Sequence, residues 1–254
     1  MRIIMDMMTM NLNQFKEFQK TSNTVLLPIG MIEAHGPHCA LGTDVLIPRE
    51  FVRRLEEVLG DKILMAPEIT YGHSWGLAAF AGTIDVSAEA FSNYVFDICK
   101  GFQKNGFTNI ILFNGHGGNI SSLDIVTEKL ADLNVRTLTI NWYLDYREDI
   151  KQITPDPGHA GEDETALVLA INETYAYTEG VGSHAIPLPK RFRFKDGGKT
   201  LYPEAFSGNA EAATVEKGEQ LYGMMVKLIV EDIQKLWRLE RKQRGQTDGV
   251  ALDF

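Results

Sequence analysis

Apolar residues concentrate in short runs at positions 25–29, 63–66, 110–113 and 135–140, each the length of a buried strand and too short for a helix. The segments between them change period. Positions 47–59 and 88–105 carry apolar residues at helical spacing, and Ser87 stands where it can cap the second, with Glu89 in the first turn and Gly106 just past the end. A third helical stretch covers 120–133 and precedes the last strand run. Strand and helix patterns alternating in this way predict β-α-β units, hence an α/β fold built as a three-layer α/β/α sandwich around a mainly parallel sheet. From 211 to about 241, Val215, Leu221, Met225, Leu228, Ile229, Ile233 and Leu236 trace one face of a long amphipathic helix that should pack on that sheet. Positions 180–209, with Pro187, Pro189, Gly197, Gly198 and Pro203, read as an elaborate loop or a subunit contact. Within them Lys190-Arg191-Phe192-Arg193-Phe194-Lys195 reads as an amphipathic edge strand with solvated charges.

A chain of 254 residues can bury a sizeable core, and the even distribution of elements predicts one domain over 1–254. Hydrophobic residues at 44% and charged residues at 23% place it among globular proteins rather than disordered chains. A formal net charge of -9 opposes nucleic acid and anionic membrane as partners and leaves a small-molecule substrate. No uninterrupted apolar stretch has the length of a membrane span. Two cysteines, Cys39 and Cys99, give no disulfide framework. The start Met1-Arg2-Ile3-Ile4-Met5-Asp6 meets an acid before a signal-like apolar core forms, so the expected compartment is the cytoplasm.

Directly after the first strand run, Glu33-Ala34-His35-Gly36-Pro37-His38 and then Asp44 place two carboxylates and two imidazoles within twelve positions. If the strand continues in extended form, Glu33 and His35 project to one face and can share an ion or hold neighbouring ions. Gly36 and Pro37 then turn the chain, and a short loop returns Asp44. A second cluster, Asn114-Gly115-His116-Gly117-Gly118-Asn119, ends the run 110–113 and precedes a helix. Ligand sites of open α/β sheets gather at the carboxyl ends of strands, which brings His116 to Glu33, His35 and Asp44. The glycines lack the Gly-Lys-Ser/Thr ending of a phosphate loop. A third cluster, Gly158-His159-Ala160-Gly161-Glu162-Asp163-Glu164-Thr165, sets three acids ahead of a helix predicted over 165–171, where acids favour the helix dipole.

These three segments, with Gly208 and the pattern Ala213-Thr214-Val215-Glu216-Lys217-Gly218, resemble the creatininase family of metal-dependent amidohydrolases over most of the chain. The specific motif is Glu-x-His-Gly-Pro-His followed by Leu-Gly-Thr-Asp, to which His38 and Gly42 belong. The resemblance implies the creatininase-like sandwich and two divalent ions per chain. On it Glu33 and His116 hold one ion, His35 the other, Asp44 bridges them, and Glu164 supplies the last carboxylate. Creatinine-hydrolysing members resemble Gly-His-x-Glu-Asn where this chain has glycine at 118, so a ligand carboxylate is missing there. Many relatives also carry Glu-His where this chain has Gly76 and Leu77. The resemblance further implies a homo-oligomer, a hexamer.

A metal pair of this kind lowers the pKa of water and polarises the carbonyl under attack, so no serine or cysteine nucleophile is needed and Cys39 is left to packing. His159 is the expected proton shuttle, since imidazole titrates near neutrality, with Glu162 orienting it. Carboxylate and imidazole ligands suit zinc, manganese, iron or cobalt. The expected activity is hydrolysis of a cyclic amide or another non-peptide carbon–nitrogen bond. The alternatives are cleavage of a carbon–carbon bond in an oxidised inositol-type cyclic ketone, removal of a formyl group, and a non-catalytic metal-binding scaffold. His38 has two readings, support of a ligand and contact with substrate. His73 and His184 read as structural, and Trp75, Trp142 and Tyr143 as either core or pocket wall.

Overall fold

The structure, a computed structural model, describes residues 6–188 and 192–243, the last four without their side chains. The first five residues and the stretch Pro189-Lys190-Arg191, on which parts of the sequence reading rest, lie outside the described residues. Four strands form a wholly parallel sheet in the order β2-β1-β3-β4: β1 (Thr24–Ile29), β2 (Leu64–Met65), β3 (Asn109–Asn114) and β4 (Arg136–Asn141). All six residues of β1 and of β3 are buried, which is why these strands read as continuous apolar runs and not as alternating ones.

The pleat divides those runs between two cores. Leu26, Ile111, Phe113 and Ile140 face one side, where they meet Phe51 of α2 (Thr43–Leu59), Leu167 of α7 (Glu162–Ile171) and Met225 of α9 (Val215–Gln243). Val25, Leu27, Ile110 and Leu112 face the other, against Phe91 and Val95 of α3 (Ala88–Lys104) and Leu123 and Val126 of α4 (Ile120–Asp132). The result is the expected three-layer sandwich. A short helix α1 (Leu12–Phe18) brings Phe18 to the second core, and two single turns, α5 (Trp142–Asp145) and α6 (Arg147–Ile150), follow β4. Ser87 caps α3 by accepting from the Ala90 amide, and Gly106 leaves it in the left-handed region at φ +86°.

Three expectations are corrected. Helix α2 starts at Thr43 rather than 47, so Asp44 sits in its first turn and not in a returning loop. Helix α7 starts at Glu162 rather than 165, which puts all three acids inside it. Both first turns face inward at the end of the sheet, so the polar residues there are buried and break the amphipathic pattern that marks a surface helix. Third, residues 192–194 form no strand. The region 183–209 contains a two-residue antiparallel pair, β5 (Ser183–His184) with β6 (Gly208–Asn209), and one helical turn α8 (Gly198–Leu201). The long terminal helix begins at Val215, after a 3-10 turn at Ala210–Ala212. Gly218 lets it close on α7, since a Cβ there would stand 2.0 Å from the Ala166 carbonyl oxygen. Among the described residues no helix is long and apolar enough to cross a membrane.

Candidate metal centre

The carboxyl ends of β1, β3 and β4 converge on one spot. Strand β1 stops at Ile29, and the following irregular segment is held by Glu33 N–H donating to Leu41 O (3.1 Å), Ala34 N–H to Thr83 Oγ1 (3.0 Å) and Ile84 N–H to Ile32 O (3.1 Å). Glu33 and His35 therefore reach the site from a tethered loop and not from an extended strand. Gly36 makes the turn at φ +64°. His116 follows β3 directly, and Asn114 holds it from both sides, Oδ1 accepting from His116 N–H (3.2 Å) and Nδ2 donating to His116 O (2.8 Å).

Glu33, His35, Asp44, His116, His159 and Glu164 come together, none with a side chain more than 12% exposed. Asp44 lies at the centre. Its Oδ1 is 3.2 Å from His35 Nε2, and its Oδ2 is 3.0 Å from His116 Nδ1. Glu33 Oε1 is 3.3 Å from His116 Nδ1 and 3.6 Å from His159 Nδ1, while Glu164 Oε2 is 3.6 Å from His35 Nε2. The donors fall into three groups compact enough for one ion each: Glu33, Asp44 and His116; His35, Asp44 and Glu164; and Glu33, His35 and His159.

All three imidazoles are held in one way. His35 Nδ1 lies 3.1 Å from Glu33 O, His116 Nε2 lies 3.2 Å from His73 O, and His159 Nε2 lies 2.8 Å from Ala34 O. A carbonyl oxygen only accepts, so in each ring the outer nitrogen carries a hydrogen and the inner nitrogen is the one that faces the carboxylates, able to give a lone pair to a cation when the ring is neutral. Rings fixed through the far nitrogen are the usual support of metal-binding histidine. The carboxylates fit the same purpose. Both oxygens of Glu33 and Oδ2 of Asp44 are buried with no hydrogen bond, although His116 Nδ1 stands close. Each buried acceptor left unpaired costs about 1–3 kcal/mol, more when charged, unless a cation satisfies it. The residues present thus fit one or two divalent cations.

Charge is strained accordingly. Burial opposes ionisation of Glu33 and Asp44, but the field of His116 on the first and of His35 on the second outweighs it and holds both carboxyls below their usual range. Burial would lower His35, yet Asp44 and Glu164 push it up to about 9, and Glu33 and Asp44 likewise carry His116 well above its ordinary value. Glu164 is driven well up by burial, only partly offset by His35, with Asp44 adding to the rise. His159 goes the other way, down to about 4, through burial and the neighbouring His35 ring, whose centroid is 4.4 Å away. It is not the near-neutral imidazole expected from its residue type.

Glu162, expected to orient His159, makes its hydrogen bonds elsewhere. Its Oε2 accepts from Asp156 N–H (3.0 Å) in the loop before α7 and its Oε1 pairs with Lys217 Nζ at the start of α9, so both oxygens are engaged away from His159. His159 is oriented by Ala34 O and by Ser207, whose Oγ accepts its backbone N–H (3.1 Å). His38 stays outside the cluster, its Nε2 3.0 Å from Ala160 O, and burial lowers its pKa, so the ring is neutral. Trp142 is fully buried in the core, whereas Tyr143 brings its hydroxyl within 3.2 Å of Asn114 Nδ2. Trp75 lines a shallow cavity of about 210 Å³ with Lys195 and Gly198, beneath the Arg193 guanidinium. His73 bonds Asp85 and Val86 with its ring, and His184 packs edge-on to Phe206.

No side chain fits at 118: a Cβ there would stand 2.1 Å from His73 O and 2.5 Å from His116 Nε2. Glu164, from a different element, occupies the cluster. Sequence reasoning missed the amide set Asn114, Asn119 and Asn141. Asn119 Nδ2 donates to Gly30 O (3.2 Å) and its Oδ1 accepts from His73 N–H (2.9 Å), and Asn114 Nδ2 reaches Asn141 Oδ1 (2.8 Å). The signal was two asparagines ending strands, Asn114 and Asn141, and a third, Asn119, just ahead of α4, where their side chains can join neighbouring loops.

Fold and cluster together define an α/β protein with a carboxylate–imidazole centre at the carboxyl edge of a parallel sheet. The chain belongs to the creatininase family, whose model, described as creatinine amidohydrolase, matches residues 8–233; it is a creatininase-family hydrolase. Similar proteins include a 3-dehydro-scyllo-inosose hydrolase of Thermotoga maritima, 27% identical across 94% of this chain and 85% of that protein. A creatinine amidohydrolase of Pseudomonas putida is 28% identical across 83% of this chain and 88% of its own length. A mycofactocin precursor peptide peptidase of Mycolicibacterium smegmatis is 28% identical across 85% and 86%. In structure the chain is similar to a mutant creatininase complexed with creatine, with a TM-score of 0.79 and 22% identity over 92% of this chain and 98% of that one. A manganese creatininase superposes equally well, with a TM-score of 0.79 at 23% identity over the same shares of the two chains.

Proposed function

We propose that this chain is a dinuclear metal-dependent hydrolase that cleaves a carbon–nitrogen bond of a small amide, with Glu33, His35, Asp44, His116 and Glu164 as ligands. The observation that carries this is the pair of Asp44 oxygens, one facing His35 and the other His116, each imidazole turned inward by a backbone carbonyl. One carboxylate shared between two donor groups is the arrangement that holds two cations side by side. Bound there, the cations would lower the pKa of water and polarise the substrate carbonyl. Zinc and manganese are the favoured ions, since solved creatininases include zinc–zinc and manganese forms and the donors here are the same chemical types.

His159 is the proton carrier in this reading. Its Nε2–H is committed to Ala34 O, so its Nδ1 lone pair faces the carboxylate cluster, ready to take a proton from attacking water and pass it to the leaving nitrogen. Of the cluster's rings, His116 and His159 keep an exposed edge, at 10% and 12%. So narrow an opening suits a small molecule or the end of a chain over an internal peptide bond.

The relatives favour two other reactions of the same site. One acts on 3-dehydro-scyllo-inosose, which supports attack on a cyclic ketone with carbon–carbon cleavage, and another is a peptidase. Product analysis separates them: creatinine, lactams, formamides, short peptides and cyclic ketones are offered to the metal-loaded protein. An amine or ammonia from a non-peptide amide supports the proposal; a carboxylic acid alone from a ketone, or turnover of peptides only, overturns the bond assignment. No turnover of any of these, and no change on substituting His159→Ala, moves the chain to a metal-binding scaffold. We also propose that the chain acts as one unit in the cytoplasm and as a homo-oligomer, a hexamer, for which light scattering gives the mass.

A further inference from the structure

His38 is buried beside the cluster without joining it, and its contacts are unusual for a core histidine. Its Nε2 lies 3.0 Å from Ala160 O and 3.2 Å from Thr165 Oγ1, and its Nδ1 is buried with no partner. A carbonyl oxygen accepts, so Nε2 carries the hydrogen and Nδ1 keeps a bare lone pair that water cannot reach. A fold that tolerates this retains the ring for its other end. The ring is immobilised: Phe206 and Tyr177 meet it edge-on, and a Cβ on Gly36 would stand 2.5 Å from Nδ1.

The residue it grips links His159 to Glu164. Ala160 is fully buried and left-handed at φ +47°, a conformation disfavoured for a residue with a Cβ. Its N–H donates to Glu164 Oε2 at 2.6 Å, and its carbonyl accepts from Thr165 Oγ1 at 3.1 Å as well as from His38. The two bonds on the carbonyl hold Ala160 in that conformation, and the conformation aims its N–H at the Glu164 carboxylate. We infer that His38 is a positioning residue: through the Ala160 carbonyl it sets where Glu164 stands relative to His35 and Asp44, and so governs one of the two metal positions and leaves the other alone. This rests on the metal reading proposed above.

The test is metal retention by the full chain, purified without chelator and dialysed against graded chelator, with zinc measured by elemental analysis. His38→Phe should weaken retention of one ion by about 10- to 100-fold, the range found when the outer partner of a ligand is lost. The other ion should stay. His38→Gln, whose amide N–H can meet the same carbonyl, should restore both. Thr165→Val removes the second donor on that carbonyl and should shift retention in the same direction, which keeps the test open if His38→Phe does not fold. Wild-type retention of both ions in folded His38→Phe, or in Thr165→Val where the Phe variant does not fold, overturns the inference while the metal reading stands. A wild-type chain that takes up no zinc overturns both.

Discussion

Pro48 leaves the Asp44 carbonyl without a helical partner. Both lie in α2, four residues apart, where residue 48 would ordinarily donate its N–H to that oxygen and proline has none to give. The carbonyl is instead seated between the ends of two strands. A Cβ on Gly30 would stand 2.6 Å from it, and one on Gly115 would stand 2.2 Å from it. The first turn of α2 is thus lowered onto the sheet, and that is what carries the Asp44 carboxylate to the middle of the cluster.

Gly115→Ala should accordingly be destabilising by about 1–3 kcal/mol, the cost of overpacking a site that cannot give way. It should also lose metal, since backbone moves before the helix can. Gly223→Ala, in the middle of α9 with open space around it, should instead stabilise by about 0.5–1 kcal/mol. Thermal unfolding of the three proteins in chelator, with metal content measured separately, checks both directions. Equal melting temperatures for Gly115→Ala and the wild type would contradict the clearance argument.

The pH dependence of metal uptake follows from His35. Burial disfavours its charged form, but Asp44 and Glu164 outweigh that and raise it to about 9, so without metal the ring is protonated at pH 7. Ligation needs the neutral ring, and uptake must therefore release protons. Apparent affinity should rise with pH toward about 9 and flatten above it. Calorimetric titration of zinc in buffers of different ionisation enthalpy reads the protons released. A count of zero at pH 7 would contradict the assignment of His35.

Glu162 and Lys217 should matter for stability and not for turnover. Glu162 is buried and its partner is 31% exposed at the side chain. Lys217→Met should cost about 2 kcal/mol, between the roughly 1 kcal/mol of an exposed pair and the 3–5 kcal/mol of breaking a buried one. Where the variant folds, its kcat should stay near that of the wild type. A large fall in kcat with an unchanged melting temperature would restore Glu162 to the catalytic machinery.

The thiols should be silent. Burial pushes both Cys39 and Cys99 up to about 12, so near pH 8 each is in the unreactive thiol form. Disulfide reagents should label neither in the folded protein and both after unfolding.

The layer architecture was legible because strands buried on both faces write unbroken apolar runs, as at Leu26, Leu27, Ile111 and Leu112. Four of the ligand candidates were legible from spacing because Glu33, His35 and Asp44 are close in sequence and His116 lies two residues past the end of a strand. What stayed hidden depended on contacts across the chain. Nothing near His159 in sequence shows that Ala34, 125 residues away, fixes its tautomer, or that Lys217 claims Glu162. The early starts of α2 and α7 were hidden for the same reason: their first turns are polar residues buried by the site, and amphipathic spacing cannot mark them.

The most direct test of the account is the metal content of the chain purified without chelator, measured beside Asp44→Asn, which keeps the size of the side chain and removes its charge. Close to two divalent ions per chain are expected in the wild type and a strong loss of both in the variant, because Asp44 is shared. A wild-type chain that binds no metal even on reconstitution, or a variant that keeps its full complement, would contradict it.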